Sequence, residues 1–480
     1  MRKISALFLI SLLIISAFAS CGKKAVQIQT EDDTKSETLI GEDDDNTEDS
    51  NTDGEGNGST DGEGNNTDGG NNNTNGGNNN TNGGNSTDGN GGNSGTAEGG
   101  DSGNTGNNSN SDNNGNNGDG DNNNTDGDNN GNNNFPSTYT PINSIEELKE
   151  ITLSGDYYLN GNIDMNGAEW TPIGTEASPF TGNLDGNGYT ISNFVINDNS
   201  KCVGLFGAND GTVQNLKLKN FEMSATNDTS SLFIGSLIGL NNGSVKACSA
   251  EGTLSGTVTS SVVESSVAIG GIIGYNNAGT VEECFANCTV NSNSTSKLSC
   301  AGGLIGFLKK GNVTNCYATG DVKANYNALV NDKNSAAAGG LIGHNSSEGI
   351  ITNCYASGTA KAVADPNGVS FAGGLIGSNM STVTNCYSIG NVTAIANTDS
   401  YSSCGGALCG YMDLESNIPF TNSYYSNVQT VTASSPYTCG TEKTLDELKS
   451  TDFHTSTLKW SSEIWSFTEG ALPTLKALTK

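Results

Sequence analysis

The chain has 480 residues, a formal net charge of −31 and only 6% aromatic residues. Its stretch from Glu31 to Asn134 holds twenty-three Asp and Glu against one Lys, with Leu39, Ile40 and Ala97 as its only apolar side chains. Ordering such a segment costs roughly 1–2 kcal/mol per residue with almost no apolar area in return, so a disordered acidic tether is predicted there. The sole arginine is Arg2; without guanidinium forks or clustered lysines a polyanion has nothing to bind to, which excludes nucleic acid as a partner.

Taken in chain order, Arg2 and Lys3 precede an apolar run from Ile4 to Ala19 that is too short for a membrane span and has the form of a secretory signal over residues 1–20. Phe18-Ala19-Ser20-Cys21-Gly22 resembles the lipobox of bacterial lipoproteins. That resemblance implies an acylated Cys21 as lipid anchor, with Gly22 compatible with sorting to an outer membrane. The segment 21–134 then reads as a lipidated N-terminus and a tether, which as a flexible coil spans roughly 55–60 Å. Asp126 to Gly131 matches half of an EF-hand loop, but Ser137 stands where the bidentate Glu is needed, so no calcium site is assigned.

From Cys202 onward the sequence repeats. The blocks VGLFG, GSLIG, GGIIG, GGLIG (three times) and GALCG end at Gly207, Gly239, Gly274, Gly306, Gly343, Gly377 and Gly410, giving seven units of about 33 residues. A second block follows each about ten residues later. Comparing units shows which positions face a core. Leu216, Cys248, Cys284, Cys316, Cys354 and Cys386 share one position, with Ser423 in the last unit. Two residues on stand Leu218, Ala250, Ala286, Ala318, Ala356, Ser388 and Tyr425, on the same face at period two. Val213, Val245, Val281, Val313, Ile351, Val383 and Phe420 also point inward, and the slip in parity between the two sites implies a corner at Asn215, Asn315, Asn353, Asn385 and Asn422. Asn tolerates the left-handed backbone that such a corner needs, and its amide can bond along a stack.

Gly-Gly pairs, β-branched residues and period-two patterning exclude a helical solenoid. The predicted fold is all-β: a right-handed parallel β-helix, or β-solenoid, of about seven repeats, one coil per unit. Residues 135–200 supply an N-terminal cap and first coils, 201–425 the repeats and 426–480 a C-terminal cap. Ser144-Ile145-Glu146-Glu147 and Thr444-Leu445-Asp446-Glu447 are capping-box patterns that open short helices in the two caps. Both middle residues of GGLIG are apolar, so one of them sits at a bend or is covered from outside.

The blocks GGLIG-x-N and TNCYATG, with the entry sequence from Thr171 to Phe194, resemble the GLUG-repeat proteins of bacterial surfaces. Such repeats occur in adhesin-like proteins and in non-catalytic parts of immunoglobulin-A peptidases. The resemblance implies a surface β-solenoid and no particular ligand.

Candidate chemistry is sparse. Cys248, Cys284, Cys316, Cys354 and Cys386 would stack as an interior ladder of reduced thiols acting as small hydrophobes. Two histidines, His344 and His454, and no CxxC pair give no metal site, and no cofactor is implied. The HExxH helix of the related peptidases is missing, and no catalytic residue is assigned. Paired carboxylates on neighbouring coils, for instance around Asp185 or Asp321, are candidates for hydrolysis of a neutral glycan, against their reading as turn residues. Tyr317, Tyr355, Tyr387 and Tyr424 share a position that accepts Lys217 and so faces water. They form a candidate binding surface for a glycan or protein, or else stack on one another or lie beneath a loop. The predicted function is a lipid-anchored, surface-exposed solenoid that binds or displays. The alternatives are a glycan-degrading β-helix enzyme and a purely structural spacer.

Overall fold

A computed structural model of the chain describes residues 135–479, other than 260–264, 328–334, 366–367, 397–402 and 413–419. The signal segment, Cys21, the acidic tether and the EF-hand half-match lie outside the described residues.

The predicted all-β solenoid is what the structure contains: fifteen-, eight- and fourteen-stranded parallel sheets whose neighbours come from successive repeats. One coil shows the design. Ser335–Gly339 lies in the eight-stranded sheet, Gly340 and Leu341 turn, and Ile342–Thr352 runs through the fifteen-stranded sheet. Asn353 turns again, and Tyr355–Ala356 and Ala360–Asp365 belong to the fourteen-stranded sheet. The next coil repeats the path in register, with Gly339 opposite Gly373, Ile342 opposite Ile376, Tyr355 opposite Tyr387 and Ala360 opposite Val392.

Both middle residues of GGLIG reach the core because Leu304, Leu341 and Leu375 occupy the bend while Ile305, Ile342 and Ile376 open the following strand. The paired glycines ahead of them are steric necessities. A Cβ on Gly303 would stand 2.0 Å from the carbonyl oxygen of Gly340 in the next coil.

The inward positions read from the repeats are buried in one continuous core, with Phe420 and Tyr425 half-buried at its edge. The corner asparagines are left-handed, with φ of 54° at Asn215, 55° at Asn315 and Asn353, 54° at Asn385 and 48° at Asn422. Their amides form the expected ladder: Asn353 donates to Asn315, Asn385 to Asn353 and Asn422 to Asn385 at 3.1, 3.1 and 2.7 Å. Ala247 and Glu283 hold the same conformation in the two coils without Asn.

The corner also explains the thiols. Glu283 N donates forward to Thr314 O of the next coil and Phe285 N donates back to Cys248 O. Between them Cys284 N has no backbone acceptor and donates to the sulfur of Cys316 at 3.4 Å. Cys316 N and Cys354 N do the same toward Cys354 and Cys386, and Cys386 N donates to the hydroxyl of Ser423. The five ladder sulfurs are free thiols. Burial holds those of Cys248, Cys316 and Cys386 well above the ordinary thiol pKa, so they stay protonated.

At the start of the solenoid, helix α1 (Ile145–Lys149) sets Leu148 into the core. Ser144 caps it, but Glu147 reaches one residue past the box, accepting from Asn143 N at 2.6 Å. Helix α2 (Leu445–Leu448) has the full reciprocal box with Thr444.

The sulfur's role as acceptor is separable from its bulk. Cys316→Val fills the space but strands a buried N–H, and is expected to cost about 1–3 kcal/mol. Cys316→Ser restores an acceptor as Ser423 does, and is expected to cost less. Thermal unfolding midpoints of the two variants should fall in that order.

Candidate functional site

The tyrosine column takes the second of its two expected forms, rings stacked on one another and covered, and the water-facing form is not what the structure contains. Tyr317, Tyr355 and Tyr387 are 7%, 1% and 0% exposed, and Tyr424 is half-buried, so the side chains do not present a surface to solvent. The inference rested on Lys217, which is half-buried in a coil that the C-terminal segment's apolar side chains do not cover. The cap-forming C-terminal segment does not lie simply across the end of the tube. It folds back along the flank and places Leu448, Phe453, Leu458, Trp460, Trp465 and Leu475 on the rings.

Within that clasp the rings stack coil on coil, at 4.3 Å from Phe285 to Tyr317, 4.8 Å to Tyr355 and 5.1 Å to Tyr387. Tyr355 donates to Pro473 O at 2.8 Å, Tyr387 Oη lies 3.2 Å from His454 Nε2, and Trp460 Nε1 donates to Asn385 O at 3.2 Å. Burial lowers the His454 pKa from 6.5 to about 4.

The candidate carboxylates are structural. Asp185 is buried and accepts from Asn187 N, Gln214 Nε2 and Asn215 Nδ2, tying the first corners together. Asp321 accepts from Thr359 N and Oγ1 at 2.9 and 2.7 Å as a turn residue. Among the described residues no group of three or more His, Cys, Asp or Glu is placed to hold a metal ion.

Two features escaped the sequence reading. The residue after each block-final glycine builds a second strip, in which Tyr275, Phe307 and His344 stack at 4.9 and 4.5 Å, and Phe233 of the eight-stranded sheet stacks on Tyr275 at 4.6 Å. Burial holds the His344 pKa at about 4. That this position is apolar or aromatic in most units was a signal available in the sequence. One residue further along, Asn209 donates to Asn241 and Asn241 to Asn276, and Asn345 donates to Asn379. Leu308 interrupts this ladder in the intervening coil, which leaves Asn345 Oδ1 without a donor.

The second feature is a hollow of about 520 Å³ on the outer face of the fourteen-stranded sheet, at the first coils. It is made by stacked bulges. Asn220 is the extra residue where Glu251 faces Lys219 and Gly252 faces Phe221. Asn193 stands level with Asn220 one coil earlier, between the Ser192–Lys219 and Val195–Glu222 pairs, and before it Asn166 and Gly167 occupy a wider irregularity between Asp164 and Ala168. All four are left-handed, with φ of 50°, 58°, 51° and 78° in that order. Asp164 fixes the turn by accepting from Asn166 N at 2.9 Å and Asn193 Nδ2 at 2.8 Å, and the Asn193 bond leads in lowering its carboxyl pKa. Gly252 ends the stack: a Cβ there would meet Phe221 O at 2.6 Å. Bulges of this kind re-aim side chains and recur beside functional sites.

The architecture defines a parallel β-solenoid of self-similar coils. The GLUG motif model matches residues 298–323 and 334–361, and blocks similar to those within the matched coils recur in the others. Over 105 residues, 21% of this chain and 1% of the relative, the chain is 40% identical to halomucin of Haloquadratum walsbyi. Over 112 residues it is 34% identical to a Gly-rich membrane protein, so named provisionally, of Evansella cellulosilytica, covering 23% of this chain and 13% of the relative. The chain thus spans a small fraction of both relatives. A Bacteroides ovatus structure provisionally named an immunoglobulin A1 protease aligns with a TM-score of 0.41 at 16% identity, covering 71% of this chain and 92% of that one. A second structure, named IgA1 protease, gives 0.39 at 20% identity over 60% of this chain and 21% of that one.

The buried histidines make stability pH-dependent with a definite sign. Their folded pKa of about 4 lies below the unfolded 6.5, so the unfolded state binds more protons between those values. Stability is expected to be full above pH 6.5 and to fall as pH drops toward 4. His454→Gln should flatten part of that fall, read as the midpoint of Trp fluorescence on heating at each pH.

Proposed function

We propose that the chain is a cell-surface protein, anchored through acylated Cys21, that holds a rigid GLUG-repeat solenoid away from the membrane on an acidic tether and binds or displays in the manner of an adhesin. The observation that carries this reading is the architecture itself. The repeats close their own core, satisfy their corner amides internally and use Asp185 and Asp321 for backbone hydrogen bonds, which suits a rod whose outer faces are free for contact.

The relatives' names support a surface setting, since one is a mucin-like name and the other names a membrane protein. Among the described residues no helix is long and apolar enough to cross a membrane; in this reading the attachment is through N-terminal acyl chains on Cys21. Two or more such chains hold stably where one holds marginally.

The reading is tested in cells of the source bacterium. Cys21→Ala is expected to abolish incorporation of labelled palmitate and to move the chain from the membrane fraction to the soluble one. Protease added to intact cells is expected to remove the solenoid from the wild type. Retention of the whole chain in unbroken, protease-treated cells would count against surface display, and unchanged membrane attachment of Cys21→Ala against the anchor.

A further inference from the structure

We infer that the bulge hollow is a saccharide subsite that takes a neutral, hydroxyl-rich sugar unit, a step that rests on the binding role proposed above. The groups around it are Asn193, Val195, Asn220, Glu222 and Thr253, with Gly167 leaving one side open. Asn220, Glu222 and Thr253 are exposed and Val195 is half-buried, and the buried Phe194 and Phe221, whose rings stack 5.4 Å apart, complete the lining.

This donor and acceptor set matches vicinal hydroxyls. An amide presents both a carbonyl acceptor and two N–H donors, a carboxylate accepts charge-assisted bonds, and a hydroxyl does either. Asn193 commits its Nδ2 to Asp164, which leaves its oxygen to accept. Val195 offers an apolar patch for the C–H face of a pyranose ring. None of the lining residues is a cation, and the nearby Lys219 is engaged by Glu251 at 3.4 Å. A uronate or sialate would meet Glu222 with nothing to neutralise it, so the chemistry selects neutral units.

The site is also pre-formed. Left-handed residues on consecutive coils, the two bonds to Asp164 and the stop at Gly252 fix the hollow before any ligand arrives, so little ordering entropy opposes binding. The repeat does not call for it, since the later coils run through the same sheet without such a stack. At about 520 Å³ the hollow falls within the roughly 300–1,000 Å³ of small-molecule sites.

The test uses the purified full chain and four neutral disaccharides, lactose, cellobiose, chitobiose and mannobiose, followed by saturation-transfer NMR and titration calorimetry. At least one should bind. Thr253→Trp, which fills the hollow from an exposed position, should weaken that binding at least tenfold, and Glu222→Ala should weaken it measurably. Thr289→Trp stands opposite Thr253 one coil on, outside the hollow, and should leave binding unchanged. Thermal midpoints of all three should stay near wild type. Failure of all four sugars to bind, binding that survives Thr253→Trp, or binding confined to acidic disaccharides added as a comparison would each overturn the subsite. None of those results would touch the proposed display role, which stands or falls on palmitate labelling and surface proteolysis.

Discussion

Along each strand successive amide hydrogens alternate between the preceding and the following coil, and a corner breaks that alternation, as where Glu283 N donates forward to Thr314 O and Phe285 N donates back to Cys248 O. At the Asn corners, therefore, one N–H is left between two directions with no backbone carbonyl to receive it. The structure meets this constraint twice over. A left-handed residue makes the turn, and the next side chain supplies an acceptor from the neighbouring coil, sulfur at Cys316, Cys354 and Cys386 and a hydroxyl at Ser423. An orphaned buried N–H costs about as much as a whole hydrogen bond is worth. That is why five units carry Cys at the position and the last carries Ser423, where a simple core would take an aliphatic residue such as the Leu216 of the first unit.

Because this scheme closes within the repeats, the solenoid's outer faces are not needed for its stability, and they differ from coil to coil. On the fourteen-stranded sheet the first coils carry bulges and polar rims, while the later coils carry a tyrosine ladder. A ladder of stacked phenol rings left bare would be a continuous apolar patch that invites association. The clasp formed by Trp460, Trp465 and Phe453 removes it from water and satisfies the buried hydroxyls of Tyr355 and Tyr387.

The core was legible in the sequence because every unit is an independent reading of one environment: seven residues at a position settle whether it faces in or out. The Asn corners followed from the same comparison, as a parity slip between Val313 and Cys316 that only a turn can produce. Only the water-facing reading of the tyrosine position failed, for the same reason that the core was read well, while the alternative of stacked and covered rings held. Comparing units assumes that each sees the same surroundings, and the clasp, which occurs once, makes Tyr355 buried while Lys217 in the same column is not. The thiols' part as acceptors was hidden too, since a hydrophobic scale treats buried Cys and Val alike; Ser423 was the hint.

The bulges lay outside the comparison for a related reason. The repeat becomes recognisable at Cys202, and two of the three bulged strands, Ile163–Glu169 and Thr190–Asn197, precede it. Yet Asn193-Phe194 and Asn220-Phe221 share one signal, a left-handed Asn followed by a buried ring, and the next coil replaces it with Gly252, where any side chain would strike Phe221. Binding geometry in this chain is therefore sought where the repeat is broken. A coil that obeys the pattern spends its outward side chains on a flat strip like those of its neighbours, and only a departure in backbone creates a concavity that can distinguish one ligand from another.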